Sequence, residues 1–322
     1  MPGGLLRRRT LFTLVTAGAG VLALPGAAQA EDVRSIDVGG APDRVAVNPV
    51  TGFGYVTDPQ AGTVSVVDPR SASVDEVIHV GGEPRDVAVD AEAGRIYVAN
   101  PPAGTVVVLD GRTHDLVSVV GAGAGASALA VDERADRVYA ASGSTGTLAV
   151  LDGVSCTLAA LVPGPKPGLA GIGVDPGRKL AYCASTTTDS VEVFSIDTGK
   201  FVASVKVGRN PTGVAVHHES GTVYVANSGI HHMSIVDAGT RTERKTVLLR
   251  SESSALAVHQ GTNTVYTNGG QNGLSRVDGA AGTLSGELSL GINPGAVAVD
   301  QRTRTVWVTD PLHGRVFLVS DF

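Results

Sequence analysis

From about residue 33 onward, short runs of alternating apolar and polar residues dominate the chain, and no long stretch has helical periodicity. Residues 44–48 (RVAVN) and 63–67 (TVSVV) are typical runs, and turns rich in Gly, Asp and Pro separate them. Four runs recur about every 42 residues, and we name them strands a, b, c and d in chain order. The pattern predicts a protein built from short β-strands.

The aromatic residues of strand b fix the period of this repeat. All six tyrosines and the only tryptophan occupy one repeat position, with spacings of 42, 42, 43, 42, 42 and 41 residues: Tyr55, Tyr97, Tyr139, Tyr182, Tyr224, Tyr266 and Trp307. A period of this length, carried by four strands, is typical of a propeller blade. The predicted fold class is therefore all-β, a seven-bladed β-propeller with four-stranded blades.

The middle residue of strand a is small in every repeat: Ala46, Ala88, Ala130, Gly173, Ala215, Ala257 and Ala298. Innermost strands of a propeller crowd together at the axis, where a large side chain would clash with the next blade. The aromatic residues of strand b lie at a larger radius, where a ring fills the widening gap between blades. We therefore interpret those rings as packing residues, not as catalytic groups.

The two ends of the chain predict how the ring closes. The last repeat stops at Phe322 after its strand c and lacks a strand d. Residues 33–40 (VRSIDVGG) match the end of the first strand d, residues 78–82 (IHVGG), at an offset of 42. We therefore expect the N-terminal strand to complete the seventh blade and to hide its open edge.

Residues 1–30 have the pattern of an export signal. Arg7, Arg8 and Arg9 precede an apolar stretch over residues 11–24, and residues 28–30 read Ala-Gln-Ala. This is the order of a charged region, an apolar region and a cleavage site. Residues 8–12 (RRTLF) resemble a twin-arginine signal, and general secretion is the alternative route. We expect an exported protein, extracellular or in the cell envelope or periplasm, with residues 31–322 as one propeller domain and no membrane span in the mature chain.

The charge of the chain argues against a nucleic-acid partner. The formal net charge is −6, and removal of three arginines with the leader would make it −9. Nucleic-acid binding normally needs a basic stripe, and no run of Lys and Arg supplies one. Cys156 and Cys183 could pair in an oxidising compartment, but the sequence leaves open whether their Cα atoms come close enough.

Residues 97–100 and 224–227 both read Tyr-Val-Ala-Asn. A Pro-x-x-Val-Ala-Val strand precedes them and a Thr-Val-x-Val-x-Asp strand follows, so the chain resembles the YVTN-repeat, or YncE-like, β-propellers over residues 33–322. The fourth and sixth repeats depart most, at residues 182–185 (YCAS) and 266–268 (YTN). Such proteins are typically exported or envelope-associated. The resemblance therefore implies a fold and a location outside the cytoplasm, but no single activity, because the family has no shared chemistry.

Ligand sites on propellers usually lie at the channel mouth formed by the d-to-a and b-to-c loops. Our candidate ligand-binding residues come from these loops: Arg44, Asp86, Arg209, His231 and His313. Arg44 and Asp86 share a repeat position at which the other five repeats have Ala or Gly. An ion pair between blades is the preferred explanation of these two residues, and a ligand site is the alternative.

No metal or cofactor is predicted. Strand c is expected to end at an aspartate in six repeats, and we interpret these as turn residues that bind backbone amides: Asp68, Asp110, Asp152, Asp197, Asp237 and Asp278. One carboxylate per blade does not make a calcium site. His217 and His259, at the other end of strand a, are interpreted as turn residues too. The chain has no phosphate-binding loop, nucleophile elbow, zinc helix or haem motif.

Two functions from different classes fit the sequence. The first is a binding or scaffold module, expected as a monomer, that holds a small molecule, a glycan or a protein at its loop face. The second is a cofactor-independent enzyme, such as a lyase, a cyclase or a lactone hydrolase, with its site at the channel mouth. Acid and base groups from different blades lie far apart in sequence, so their convergence is a question for the structure.

Overall fold

A computed structural model describes residues 32–320 and 322 and places them in seven four-stranded sheets. The sheets are the blades of a seven-bladed β-propeller, which confirms the fold predicted from the repeat. The predicted export signal, residues 1–30, lies outside the described residues.

The strands follow one another in chain order, starting with β1 (Asp32–Asp37). Six complete blades come next. Blade 1 contains β2 (Val45–Val47), β3 (Gly54–Asp58), β4 (Thr63–Asp68) and β5 (Ser73–His79); blade 2 contains β6 (Asp86–Asp90), β7 (Arg95–Asn100), β8 (Thr105–Asp110) and β9 (Leu116–Gly121); blade 3 contains β10 (Ala126–Asp132), β11 (Arg137–Ser142), β12 (Thr147–Asp152) and β13 (Thr157–Pro163). Blade 4 contains β14 (Leu169–Asp175), β15 (Leu180–Ser185), β16 (Ser190–Ser195) and β17 (Lys200–Lys206); blade 5 contains β18 (Pro211–His217), β19 (Thr222–Asn227), β20 (His232–Asp237) and β21 (Thr242–Leu248); blade 6 contains β22 (Leu256–His259), β23 (Thr264–Gly270), β24 (Gly273–Asp278) and β25 (Thr283–Ser289). The seventh blade contains β26 (Val297–Val299), β27 (Val306–Asp310) and β28 (Arg315–Ser320). The described residues include one short 3-10 helix, Glu133–Ala135. None of their helices has the length and apolar character needed to cross a bilayer.

The N-terminal strand closes the ring, as predicted. β1 pairs antiparallel with β28 and becomes the outer strand of blade 7, which has the order β1-β28-β27-β26. The pairing runs from Asp32 opposite Ser320 to Asp37 opposite Arg315 without interruption. Ile36 is the one deeply buried side chain of β1, with 2% of its surface exposed.

This closing pair differs from the other outer pairs in one respect. In blades 1 to 6 the pairing of strand c with strand d shifts register near the connecting turn, as between Val66 and Val67. Each of those turns contains a residue in the left-handed region, such as Ala72 with φ 52°. A short hairpin turn with a left-handed residue is normally followed by a bulge. No turn connects β28 to β1, so no bulge is needed there.

Each aromatic residue of strand b packs against the next blade. Tyr55 lies in one buried cluster with Ile96 of blade 2, and Tyr97 lies in another with Val138 of blade 3. The same arrangement repeats around the ring, and the tyrosine side chains are 0–3% exposed. These contacts confirm the packing role predicted for the aromatic residues.

The innermost strands are as crowded as the small residues predicted. A Cβ atom added to Gly173 on β14 would lie 2.9 Å from Val216 Cγ2 and 3.2 Å from Val214 Cγ1, both on the next innermost strand. Those distances are shorter than ordinary van der Waals contacts, so a larger side chain would push the blades apart.

The structure corrects one turn assignment. The aspartates that end strand c accept amide hydrogen bonds as expected, for example Asp237 Oδ1 from the Thr240 amide at 2.7 Å. In blade 4 the residue that does this is Ser195, whose hydroxyl accepts a bond from the Thr198 amide at 3.2 Å. Asp197 lies beyond the end of β16, because the position that holds the turn aspartate in blades 1, 2, 3 and 5 is occupied by Ser195 in blade 4.

Candidate functional site

A small cavity of about 160 Å³ lies within the central channel near the start of the innermost strands. Seven equivalent ring positions surround it, one from each blade: Arg44, Asp86, Ala128, Gly171, Gly213, Ala255 and Ala296. Two of these positions carry charge, and the others are small. A Cβ atom at Gly171 would lie only 2.2 Å from the Thr212 carbonyl oxygen, so the ring has no space for a side chain there.

Asp86 begins β6 and is held by backbone amides. Its Oδ2 accepts a hydrogen bond from the Leu129 amide of blade 3 at 2.7 Å, and its Oδ1 accepts one from the Val87 amide at 2.9 Å. Burial at the channel wall raises the pKa of Asp86 to about 6, although the nearby Arg44 charge and the two amides favour the ionised form. Asp86 therefore changes its protonation state close to physiological pH.

Arg44 lies beside Asp86 but does not contact it directly. A hydrogen bond holds the backbone of Arg44 against β3, because its amide donates to Thr57 Oγ1 at 3.0 Å. Among the described residues, no ion pair within 4.0 Å joins Arg44 to Asp86, and no hydrogen bond involves the Arg44 guanidinium. The ion pair favoured by the sequence is therefore not formed, and both charged groups face the channel.

A wider cavity of about 800 Å³ covers the channel mouth and also includes Arg44. Its charged side comes from blades 1 and 2, where Arg85 lies 3.6 Å from Asp43 and 3.4 Å from Glu83. Its other side comes from the loops of blades 2 to 4 and consists of small or uncharged residues: Pro101, Pro102, Gly125, Ser127, Gly143, Ser144, Gly168, Leu169, Ala170 and Thr186. The mouth is thus charged on one side and neutral on the other.

The other three candidate residues belong to loops at the same end of the ring but do not line either cavity. Arg209 donates from Nε and Nη2 to the Gly229 carbonyl oxygen, at 3.1 and 3.0 Å, and so supports its own loop. His231 is exposed. His313 is exposed as well, and its Nδ1 lies 2.8 Å from Asp310 Oδ2. The structure brings Arg44 and Asp86 together and leaves these three outside that group.

At the opposite end of the ring, His217 and His259 connect blades. His217 donates from Nε2 to the Gln260 carbonyl oxygen at 2.8 Å, and His259 donates to that of Gln301 at 3.1 Å. The Gln260 side-chain amide donates back to the Val216 carbonyl oxygen at 2.8 Å. The histidines are turn residues, as interpreted, with an additional role between blades that the sequence did not indicate. The signal in the sequence was that both histidines occupy the repeat position at which the other five blades have Asn or Asp.

The cysteines do not form a disulfide, since both thiols are free. Cys156 lies in the turn before β13, with a left-handed φ of 52°. Cys183 is fully buried on β15, and burial, followed by the negative charge of Glu192, raises the pKa of its thiol. A buried thiol of this kind is unreactive.

Glu192 itself is a buried carboxylate that the sequence did not single out. Its oxygens accept hydrogen bonds from Thr188, Ser190 and Ser204, and none of its surface is exposed. Because these hydroxyls satisfy the carboxylate, the group is a structural feature of blade 4. Within residues 32–320 and 322, no three His, Cys, Asp or Glu side chains are grouped as metal ligands would be.

The comparisons with known proteins agree on the fold. The structure is similar to a chain of Kuenenia stuttgartiensis hydrazine synthase, with a TM-score of 0.75 and 14% identity over 87% of this chain and 95% of that chain. It is also similar to U3-55K, with a TM-score of 0.79 and 10% identity over 90% of this chain and 98% of that chain. At these identities the likeness concerns the fold alone. No protein-family model matches the sequence, and no curated protein matches it.

The raised pKa of Asp86 predicts a stability cost at neutral pH. A carboxyl that ionises near 3.8 when unfolded and near 6 when folded binds more protons in the folded state between those values, so the free energy of unfolding falls as pH rises from about 4 to 6. We expect Asp86→Ala, which introduces the residue found in three other blades, to be more stable than the native protein at pH 7. The gain should be at most about 3 kcal/mol, and it should shrink or reverse at pH 4.

Urea unfolding at pH 7, 5 and 4 measures this dependence. The control is Asp75→Ala, because Asp75 is exposed on the outer strand β5. If Asp86→Ala raises the free energy of unfolding by the same amount at pH 4 and at pH 7, the ionisation of Asp86 does not reduce the stability of the folded state.

Proposed function

We propose that the protein is an exported YVTN-type β-propeller that binds a small molecule, a glycan or a segment of a partner protein at its channel mouth. The Tyr-Val-Ala-Asn repeats support the YVTN assignment, and the pattern of residues 1–30 supports export. The propeller supplies a rigid ring on which loop residues can vary without disturbing the blades.

The proposed binding site rests on one observation about Arg44 and Asp86. They occupy ring positions that are Ala or Gly in the other five blades, and they do not neutralise each other by direct contact. The position of Asp86 raises its pKa to about 6, so the ionised side chain lowers the stability of the folded state at neutral pH. Costs of this kind are concentrated at functional sites. A bound partner would supply the polar contacts that these two side chains do not make with each other.

The geometry also limits the ligand. The channel cavity of about 160 Å³ accepts only a small polar group, whereas the mouth of about 800 Å³ accepts the body of a molecule. A suitable ligand places a hydrogen-bonding group between Arg44 and Asp86 and rests its body on the neutral loops of blades 2 to 4. A sugar unit or a small polar metabolite has these properties.

We expect Arg44→Ala to weaken binding with little change in melting temperature, because the guanidinium makes no hydrogen bond within the described residues. Thermal-shift screening of the mature protein against small polar metabolites and oligosaccharides identifies ligands, and calorimetric titration then measures affinity. Arg44→Ala should weaken binding at least about tenfold, a loss of about 1.4 kcal/mol.

The matched control is Arg112→Ala, since Arg112 lies in a c-to-d turn at the opposite end of the ring. Substitutions of Arg209, His231 and His313 then show how far the site extends across the loop face. Ligands that bind Arg44→Ala and Asp86→Asn as tightly as the native protein would place the site elsewhere.

The pKa of Asp86 also favours a second candidate, a cofactor-independent enzyme. A carboxyl with a pKa of about 6 can accept or donate a proton near neutral pH, which is what general acid–base catalysis requires. Arg44 could stabilise developing negative charge beside it. Turnover of lactones that rises through pH 6 and disappears in Asp86→Asn would favour this enzyme over a binding module.

A further inference from the structure

A second large cavity lies between blades 7 and 1, at the end of the ring opposite the channel mouth, and has a volume of about 560 Å³. The a-to-b turns of both blades, the c-to-d turn of blade 1 and Arg34 of β1 line it. We infer that this cleft binds an organic anion, meaning a carboxylate or phosphate group on an apolar, preferably aromatic, body.

Three guanidinium groups surround the cleft: Arg34, Arg70 and Arg302. Asp300 is the one carboxylate in its lining, and two further carboxylates just outside the lining, Asp32 and Asp68, lie 3.8 Å from Arg34 and 3.6 Å from Arg70. Both oxygens of Asp300 are already used within its own turn, by the Arg302 amide at 2.8 Å and the Thr303 hydroxyl at 2.8 Å. Arg302 is therefore the arginine of the cleft that has no carboxylate within 4.0 Å among the described residues.

Each guanidinium retains donors for a ligand. Arg34 uses Nη1 for the Pro69 carbonyl oxygen at 3.0 Å, and its Nε lies 3.8 Å from Asp32. Arg70 uses Nη2 for the Thr51 carbonyl oxygen at 3.1 Å, and its Nε lies 3.6 Å from Asp68. One terminal nitrogen of each is left without a partner in the described part of the chain.

Arg302 has more free donors than the other two arginines. Within residues 32–320 and 322, its guanidinium makes neither a hydrogen bond nor an ion pair. Guanidinium groups bind carboxylates and phosphates through paired N–H donors, and several converging arginines are typical of such sites. Arg302 has no such anionic partner within the described residues, and a bound anion would supply one.

The cleft also has an apolar surface that simple ion binding would not require. Phe53 and Trp307 contribute rings to its lining, and Val50 stands at its edge with 68% of its surface exposed. The repeat position of Phe53 is Arg, Leu or Thr in the other blades, so this aromatic residue is particular to the cleft. An apolar ligand body would cover Phe53 and Val50, above the buried Trp307, while its anionic group faces the arginines.

Trp307 provides a local probe, because it is the only tryptophan in the chain and it lines the cleft. The mature protein is titrated with phenyl phosphate, benzoate, inorganic phosphate and benzylamine, and tryptophan emission is followed with excitation at the red edge. Calorimetry accompanies each titration, so that binding which leaves Trp307 emission unchanged is still detected.

We expect saturable binding of phenyl phosphate or benzoate, tighter than that of inorganic phosphate and weakened by added salt. Arg302→Gln should reduce the affinity at least tenfold, and the matched control Arg112→Gln in blade 2 should leave it unchanged. Whichever of phenyl phosphate and benzoate binds more tightly shows whether the cleft prefers a phosphate or a carboxylate group.

Any of the following results would overturn the inference. The first is the absence of saturable binding of both aromatic anions by calorimetry. The second is equal affinity for phenyl phosphate and inorganic phosphate, which would remove the role of the apolar lining. The third is binding of benzylamine as tight as that of benzoate, or unchanged binding in a folded Arg302→Gln variant, either of which would remove the role of the arginines.

Discussion

Deletion of residues 31–37 from a protein that consists of residues 31–322 should lower its melting temperature by at least roughly 10 °C and promote aggregation. The deletion removes β1, breaks six residue pairings with β28 and exposes the side chains that Ile36 covers. Loss of one buried isoleucine costs about 2–5 kcal/mol, and the lost hydrogen bonds add to this. A loss of roughly 5 kcal/mol corresponds to that temperature shift in a domain of this size.

The exposed edge of β28 explains the expected aggregation. It would present unpaired backbone groups beside apolar residues, and such an edge can pair with another chain. Differential scanning calorimetry and light scattering measure the two effects. Point variants of β1 provide the control, because Ile36→Ser should be costly and Val33→Ser, at a residue 38% exposed, nearly neutral. A deletion variant that melts like the native protein would contradict closure by β1.

Gly54→Val should destabilise the protein by about 3 kcal/mol or more, at the upper end of the cost of overpacking. A Cβ atom at Gly54 would lie 2.3 Å from Trp307 Cζ3 and 2.7 Å from Cη2, so the ring would have to move. Trp307 is 1% exposed and packed between blades, so a displacement of its ring would disturb the contacts of this junction.

A smaller ring at residue 307 should relieve the clash that Gly54→Val creates. At the other six blade junctions, a tyrosine faces Ile, Val or Ala at the position of Gly54: Ile96, Val138, Ala181, Val223, Val265 and Val306. Combining Gly54→Val with Trp307→Tyr recreates the common pair at the junction of blades 7 and 1. We expect the double variant to recover most of the lost stability.

Urea unfolding of the native protein, both single variants and the double variant gives the coupling energy, which should be about 2 kcal/mol or more, within the range known for contacting residues. Thr240→Val, at an exposed turn position in blade 5, serves as a remote control for Trp307→Tyr. Strictly additive single effects would show that Gly54 and Trp307 do not share one packing site.

The candidate site could be predicted only in part. Arg44 and Asp86 were visible because each replaces a small residue in a strict repeat, and a repeat places equivalent positions on one ring. Whether they form an ion pair depends on the distance between two side chains and on the amides available to Asp86, neither of which the repeat specifies. Arg209, His231 and His313 were chosen from the loops alone, and loop positions do not determine which side chains converge.

The cleft between blades 7 and 1 was not predicted, because it is formed by residues from opposite ends of the chain. Arg34 and Arg302 become neighbours only when the ring closes, and Arg70 reaches the cleft from the turn between β4 and β5. The one signal in the sequence was the paired departure of Gly54 and Trp307 from the repeat. That signal shows a special junction, but it does not show that arginines surround it.

The sequence alone determined the number of blades, the four strands of each blade, the small residues at the axis, the aromatic residues between blades and the strand that closes the ring. These features repeat, and each follows from local alternation and from packing that every blade must satisfy. The tertiary structure alone decided which charged groups meet, which are neutralised and where cavities remain. Those properties arise from side chains of different blades, whose distances depend on the closed ring and not on their spacing along the chain.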